Sequence, residues 1–142
     1  MKVSDILGKK GNAVYAATSD LTVYDALRLM GEKNIGALPV IDNGQLKGII
    51  SERDYARKVV LRNRSSKEMK VSEIMTANVI TVTADDTLEQ CMQLMSDKRI
   101  RHLPVMDNGQ VIGILSISDI VTAVIESQKQ MIEHLKNYIS ST

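Results

Sequence analysis

The chain carries the same succession of apolar and polar positions twice. Val23, Ala26, Leu27 and Met30 fall at i, i+3, i+4 and i+7, and so do Leu88, Cys91, Met92 and Met95. That spacing puts each set on one face of a helix. Thr22 and Thr87 stand just ahead of these faces as N-caps, and Thr87 with Gln90 has the form of a capping box. Each helical pattern gives way to a β-rich run, residues 38–41 and 103–106, and then to Asp-Asn-Gly-Gln. Asn-Gly predicts a hairpin turn, because both residues tolerate positive φ. A return strand ends at Ile50 or Leu115, and a second helix begins at Ser51 or Ser116. A short β-type run, residues 14–17 or 79–82, precedes the first helix of each unit. The predicted order per unit is β-α-β-β-α, with a Val-Ser-acid-Ile segment ahead of it.

The two units are copies. From Val14 onward they align at an offset of 65, and 18 of 41 positions are identical between residues 20–60 and 85–125. The only two prolines, Pro39 and Pro104, occupy the same place in each. A duplication of this density decides the architecture before any single motif does. Val3-Ser4-Asp5-Ile6 returns as Val71-Ser72-Glu73-Ile74 at an offset of 68, so the first copy has three extra residues within 8–13, which we expect in a loop. The expected organisation is repeat 1 over 1–64, a polar linker at 65–70, repeat 2 over 71–127 and a C-terminal helical extension over 128–142. The last helix of repeat 2 runs on into that extension: Val121, Ile125, Ile132, Leu135 and Ile139 follow steps of four and three, with Gln128 in the missing place. The pattern fits a helix docked on its own domain or a dimer contact equally well. Gly48 and Gly113, inside the return strands, predict a bulge or a close backbone approach such as that of a ligand.

Composition narrows the function. With 142 residues the chain can bury about two-thirds of its unfolded surface. Eighteen Lys and Arg against seventeen Asp and Glu give a net charge of +1, so no global field directs the chain to nucleic acid or a membrane. Phe and Trp are absent, which disfavours aromatic platforms that stack bases. One cysteine, Cys91, excludes an internal disulfide. The N-terminus has no signal-peptide core, and a soluble, cytoplasmic protein is expected. His102 and His134 are far apart without metal-ligand spacing, no hydrolase, P-loop or zinc motif occurs, and Cys91 sits on an apolar helix face. The expectation is a protein without catalysis and without a metal.

The Ser-x-x-Asp pairs, Ser51 with Asp54 and Ser116 with Asp119, are the best candidate site. A capping box alone accounts for the spacing. A strand entering a helix N-terminus also offers free N–H groups to a phosphate, and a carboxylate there can accept hydrogen bonds from a ribose diol. Arg101 and His102 immediately precede the second copy's central strand, where the first copy has Gly36 and Ala37. The first copy instead carries Arg53 beside Asp54, so the two sites are not expected to be equivalent. The basic stretch 53–67 reads as an exposed face interrupted by acids, and nucleic-acid binding is the weaker alternative.

Duplicated Leu-Pro-Val, Asp-Asn-Gly, Gly-hydrophobic-hydrophobic-Ser and a closing Asp resemble a tandem CBS-domain pair, or Bateman module, named after cystathionine β-synthase. The resemblance covers residues 4–125. It implies a mixed α/β (α+β) fold in which two β-α-β-β-α repeats pack about a pseudo-twofold axis. It further implies clefts between the repeats that bind adenine nucleotides, and association into homodimers. Carried over residue by residue, Asp54 and Asp119 bind ribose hydroxyls. Ser51, Ser116, Arg53 and Ser118 lie near ribose or phosphate, and Arg101 and His102 match positions that contact phosphate. Ala13, Val14 and Tyr15, with Asn78, Val79 and Ile80, line the adenine pocket. The implied ligand is AMP, with ADP, ATP, NAD(H) and S-adenosylmethionine as alternatives, and no cofactor is required. The implied role is a regulatory sensor that acts on a protein effector. The rival reading is a structural dimerisation module with vestigial clefts.

Overall fold

In the computed structural model, residues 1–11 and 13–141 are described. Helix α1 spans Val3–Lys10, α2 Val23–Lys33, and strands β1 and β2 span Ala37–Asp42 and Gln45–Ser51. A single helical turn α3 (Glu52–Tyr55) continues as a π-helix over Ala56–Val60. A 3-10 turn, Val71–Glu73, opens the second repeat, followed by β3 (Val82–Thr83) and α4 (Leu88–Lys98). The chain then forms β4 (His102–Asp107), β5 (Gln110–Ser116) and a long α5 (Ile117–Ser140).

The hairpins form where the Asn-Gly pairs stand. Asn43 and Gly44 have φ of 52° and 78°, and Asn108 and Gly109 have 49° and 77°, so both turns use the positive-φ tolerance of these residues. β1 pairs antiparallel with β2, β4 with β5, and each ladder slips at the same place. Val40 faces Gly48 but Ile41 faces Leu46; Val105 faces Gly113 but Met106 faces Val111. One extra residue beside each glycine is therefore a bulge. The leading strands are shorter than the sequence pattern suggests. Residues 79–82 reduce to the parallel pair β3–β4, and residues 14–17 to one parallel bridge, Ala17 with Val40.

Helix starts obey their caps. The Thr22 hydroxyl accepts from Asp25 N at 3.1 Å, and Thr87 with Gln90 makes both bonds of a capping box, at 3.2 and 2.8 Å. Helices α2 and α4 close on the left-handed residues Asn34 and Arg99.

The repeats exchange their leading segments. Val3, Ile6 and Leu7 of α1 are buried with Leu88, Cys91, Leu103, Val105 and Leu115 of the second repeat. Val71 and Ile74 are buried with Val23, Met30, Leu38 and Ile50 of the first. Backbone bonds fix the exchange: Val3 N to Asp86 O and Leu88 N to Met1 O on one side, Val71 N to Leu21 O and Val23 N to Met69 O on the other. The glycines in the return strands make room for it. A Cβ on Gly113 would lie 2.7 Å from Leu7 Cδ2, and one on Gly48 2.7 Å from the Thr76 carbonyl oxygen. The close approach expected there is thus by the other copy's leading segment rather than by a ligand. The three extra residues of the first copy also differ from expectation. Helix α1 runs through Lys10, whereas its counterpart is only a 3-10 turn, so the insertion supplies about one more helical turn. Asn12, within the same stretch, lies outside the described residues.

Candidate functional site

The two repeats meet along β2 and β5. At one end of this contact Gly36 stands against His102, where an added Cβ would be 3.6 Å from Nε2. Nearby, Arg53 Nη1 reaches toward Arg99 O at 3.5 Å, so the short helix of one repeat touches the helix end of the other. Each second helix starts against the entry of its own central strand: Glu52 N donates to Gly36 O at 3.1 Å, and Ile117 N to Arg101 O at 2.8 Å. This geometry brings Ser51 and Asp54 near Gly36 and Ala37, and Ser116 and Asp119 near Arg101 and His102.

Both Ser-x-x-Asp pairs form capping boxes. Asp54 Oδ2 accepts from the Ser51 backbone N and hydroxyl, each at 3.0 Å, and Asp119 Oδ2 accepts from Ser116 N at 2.8 Å. Each carboxylate also holds a lysine. Lys58, one turn along the same helix, lies 3.3 Å from Asp54 Oδ1 and donates to Ile74 O at 2.8 Å. Asp119 instead takes Lys10, from the last turn of α1, at 2.7 Å; the same ammonium donates to Ile114 O.

In the second cleft the charged groups act on one another. Burial alone would raise the Asp119 carboxyl, but hydrogen bonds from Lys10 and from Ser116 N, with the charge of Lys10, bring it below the ordinary carboxylate range. His102 is pushed below its usual value first by burial and then by the charges of Lys10 and Arg101, against an upward pull from Asp119. Lys10 and Arg101 against one carboxylate leave an excess of positive charge there, which suits a ligand with both hydroxyls and an anionic group.

The other sequence-derived residues are more scattered. Arg101 is exposed and His102 half-buried, while Leu103, Pro104 and Val105 are all buried, so this strand is covered on both faces rather than alternating in and out. Ser118 and Asn78 are exposed, Val79 is half-buried, and Ile80 packs against the second repeat's core. Ala13, Val14 and Tyr15 are exposed and lie outside any strand, with Lys33 Nζ 4.9 Å above the Tyr15 ring. The sequence reading missed Lys10. It also missed that the residues ahead of each repeat's first helix reach the other repeat: Lys10 meets Asp119, and Thr76 exchanges backbone bonds with Ile49 at 3.0 and 2.9 Å. The change of offset from 68 to 65 was the one sequence signal at Lys10. Among the described residues no cluster of His, Cys, Asp and Glu could hold a metal ion, and no helix is long and apolar enough to cross a membrane.

The CBS-domain family matches residues 3–61 and 71–126. The chain belongs to the CBS-domain family, as a tandem pair. The mitochondrial CBS domain-containing protein CBSX3 of Arabidopsis thaliana is 43% identical, across 96% of this chain and 71% of that protein. A solved CBS-domain protein from Burkholderia ambifaria MC40-6 is 50% identical with a TM-score of 0.86, covering 90% of this chain and 96% of that one. The CBS pair of protein MJ0100, solved with 5′-methylthioadenosine and S-adenosyl-L-methionine, is 30% identical with a TM-score of 0.75, covering 90% and 98%. A CBS-CP12 protein from bloom-forming cyanobacteria, 31% identical with a TM-score of 0.78 over 86% and 71%, is hexameric. The fold expected from the repeat is the fold observed.

Proposed function

We propose that this CBS pair is a non-catalytic sensor that binds AMP or a related adenine nucleotide in the clefts between its repeats. The observation that carries the reading is a capping-box carboxylate ion-paired to a lysine at each helix start, Asp119 with Lys10 and Asp54 with Lys58, with His102 and Arg101 beside the first and Arg53 on the same helix turn as the second. The carboxylate takes the ribose diol and the basic groups take phosphate. Ser51, Ser116 and Ser118 lie at the same helix starts, and Ala13–Tyr15 and Asn78–Ile80 form the loops that would enclose the base. The ligands held by the MJ0100 pair support an adenosine compound. Binding signals by changing the relation of the two repeats, since a ligand shared between them makes different contacts in open and closed arrangements.

A homodimer is part of the proposal. Met92, Met95, Ile117, Val121, Val124 and Ile125 line an apolar groove of about 370 Å³ between α4 and α5. Beyond it Ile132 and Leu135 of α5 are each 52% exposed, which favours a helical face covered by a second copy. This face also carries the rival reading of a dimerisation module with vestigial clefts. A cytosolic location completes the proposal, in keeping with the buried free thiol of Cys91; fractionation of cells tests it, and a mitochondrial signal would overturn it. Thermal-shift and calorimetric titration with AMP, ADP, ATP, NAD(H) and S-adenosylmethionine tests the sensor. At 100-fold excess over Kd one filled site should stabilise the fold by about 2.7 kcal/mol. Binding by none of the five would leave the dimerisation module as the function.

A further inference from the structure

We infer that Lys10 sets the ligand selectivity of the second cleft by competing for Asp119, so that this cleft admits a phosphorylated nucleoside and discriminates against the bare nucleoside. The inference rests on the proposed nucleotide binding and adds a specificity-determining residue to it. Lys10 belongs to the last turn of α1, which packs on the second repeat through Ile6 and Leu7. Its ammonium bonds two acceptors of that repeat, the Asp119 carboxylate at 2.7 Å and the Ile114 carbonyl. Both Lys10 and Ser116 N fall on Asp119 Oδ2, so one of the two oxygens that a ribose diol would share is already engaged. The groove beside the pair, lined by Met1, Ile6, Lys10, Asp119 and Ala123 among others, holds about 170 Å³. The Lys10–Asp119 pair thus lies at the edge of this groove, bridging α1 and the start of α5.

A bare nucleoside that takes Asp119 from Lys10 offers the ammonium nothing in return. A phosphate offers it a stronger acceptor in the same neighbourhood, where Arg101 adds positive charge and the His102 imidazole can donate a hydrogen bond. Lys10 therefore exchanges one anion for another only when the ligand brings a phosphate.

Neighbouring Lys9 supplies the control. It pairs with Glu126 on the same two helices, is 57% exposed, and does not touch Asp119. Calorimetric titrations with adenosine and with AMP on the wild type, Lys10→Met, Lys10→Arg and Lys9→Met test the inference. Lys10→Met should lower the AMP-to-adenosine affinity ratio by about tenfold or more while adenosine binds as tightly as before or tighter. Lys10→Arg and Lys9→Met should keep the ratio within about threefold of the wild type. An equal loss for both ligands in Lys10→Met, an unchanged ratio, or the same change in Lys9→Met would overturn the inference while nucleotide binding stands. Should Lys10→Met not fold, Lys10→Gln is read by the same ratio. Binding of neither compound to any form would remove the nucleotide reading and this inference together.

Discussion

The exchange of leading segments makes two glycines at equivalent positions unequal to substitution. Neither Gly48 nor Gly113 has a positive φ, so alanine is conformationally allowed at both and would gain about 0.5 kcal/mol from the unfolded chain. The surroundings differ. At Gly48 the new Cβ would lie 2.7 Å from the Thr76 carbonyl oxygen, 2.8 Å from Met75 Sδ and 3.1 Å from its Cγ. The Thr76 carbonyl is backbone, and the same residue exchanges two hydrogen bonds with Ile49. Relief of the clash has to push that segment away. Overpacking costs about 1–3 kcal/mol, and each weakened bond about 1 kcal/mol, so Gly48→Ala should cost about 2–4 kcal/mol net. For a chain of this size that is a fall in Tm of about 8–15 °C. At Gly113 the obstacle is the far end of one side chain, with Leu7 Cδ2 at 2.7 Å and Cγ already at 3.6 Å. A rotamer change relieves it, and Gly113→Ala should cost about 1 kcal/mol. Urea and thermal unfolding of both variants measure the difference. Leu7→Ala should remove the cost of Gly113→Ala, whereas Met75→Ala should leave much of the cost of Gly48→Ala because the carbonyl stays. A Gly48→Ala variant as stable as Gly113→Ala, or one fully rescued by Met75→Ala, would refute the exchanged packing.

Two further outcomes follow from the same geometry. His102 is held below its usual pKa of 6.5 by burial and by Lys10 and Arg101, with Asp119 opposing, so the unfolded chain binds its proton first. Stability should therefore be complete above about pH 6.5 and decline as pH falls through that value toward the folded pKa, and His102→Gln should flatten the decline measured by urea unfolding between about pH 7 and 5; an unchanged slope would contradict the assignment. Deleting residues 128–142 removes the exposed Met131, Ile132, Leu135 and Tyr138 while leaving buried Ile120 and Ala123 in place, so the chain should keep its fold and the dissociation constant of the proposed homodimer should rise about 100-fold or more, as read by analytical ultracentrifugation; an unchanged constant would take the end of α5 out of the proposed interface.

What the sequence made legible was local. The Asn-Gly turns, the Thr and Ser caps and the helix faces each depend on residues within about four positions of one another, and repetition at a fixed offset showed each of them twice. What it hid was non-local. Leu7 against Gly113 and Met75–Thr76 against Gly48 join residues of different copies, and an alignment of the copies suggests the opposite pairing, each segment with its own repeat. The glycines were correctly singled out as points of close approach, but a glycine does not name what approaches it. Lys10 was hidden for a different reason: it lies in the stretch where the copies do not align, and its partner is 109 positions away. The capping boxes are the instructive middle case. Ser51 with Asp54 and Ser116 with Asp119 formed as the spacing requires, and that spacing alone leaves open whether the acids do anything more.

A calorimetric titration of AMP against the wild type and Asp119→Ala, run beside their melting curves, decides that. Loss of the cap and of the Lys10 bond should lower stability by about 1–2 kcal/mol, a fall in Tm of about 4–8 °C. Loss of the ribose acceptor should cost about 3 kcal/mol of binding, a weakening of about 100-fold or more. The account predicts AMP binding by the wild type and its near-abolition in a variant that remains folded. AMP affinity that survives in Asp119→Ala while the melting temperature falls would contradict it, and would leave the carboxylate as a helix cap and nothing more.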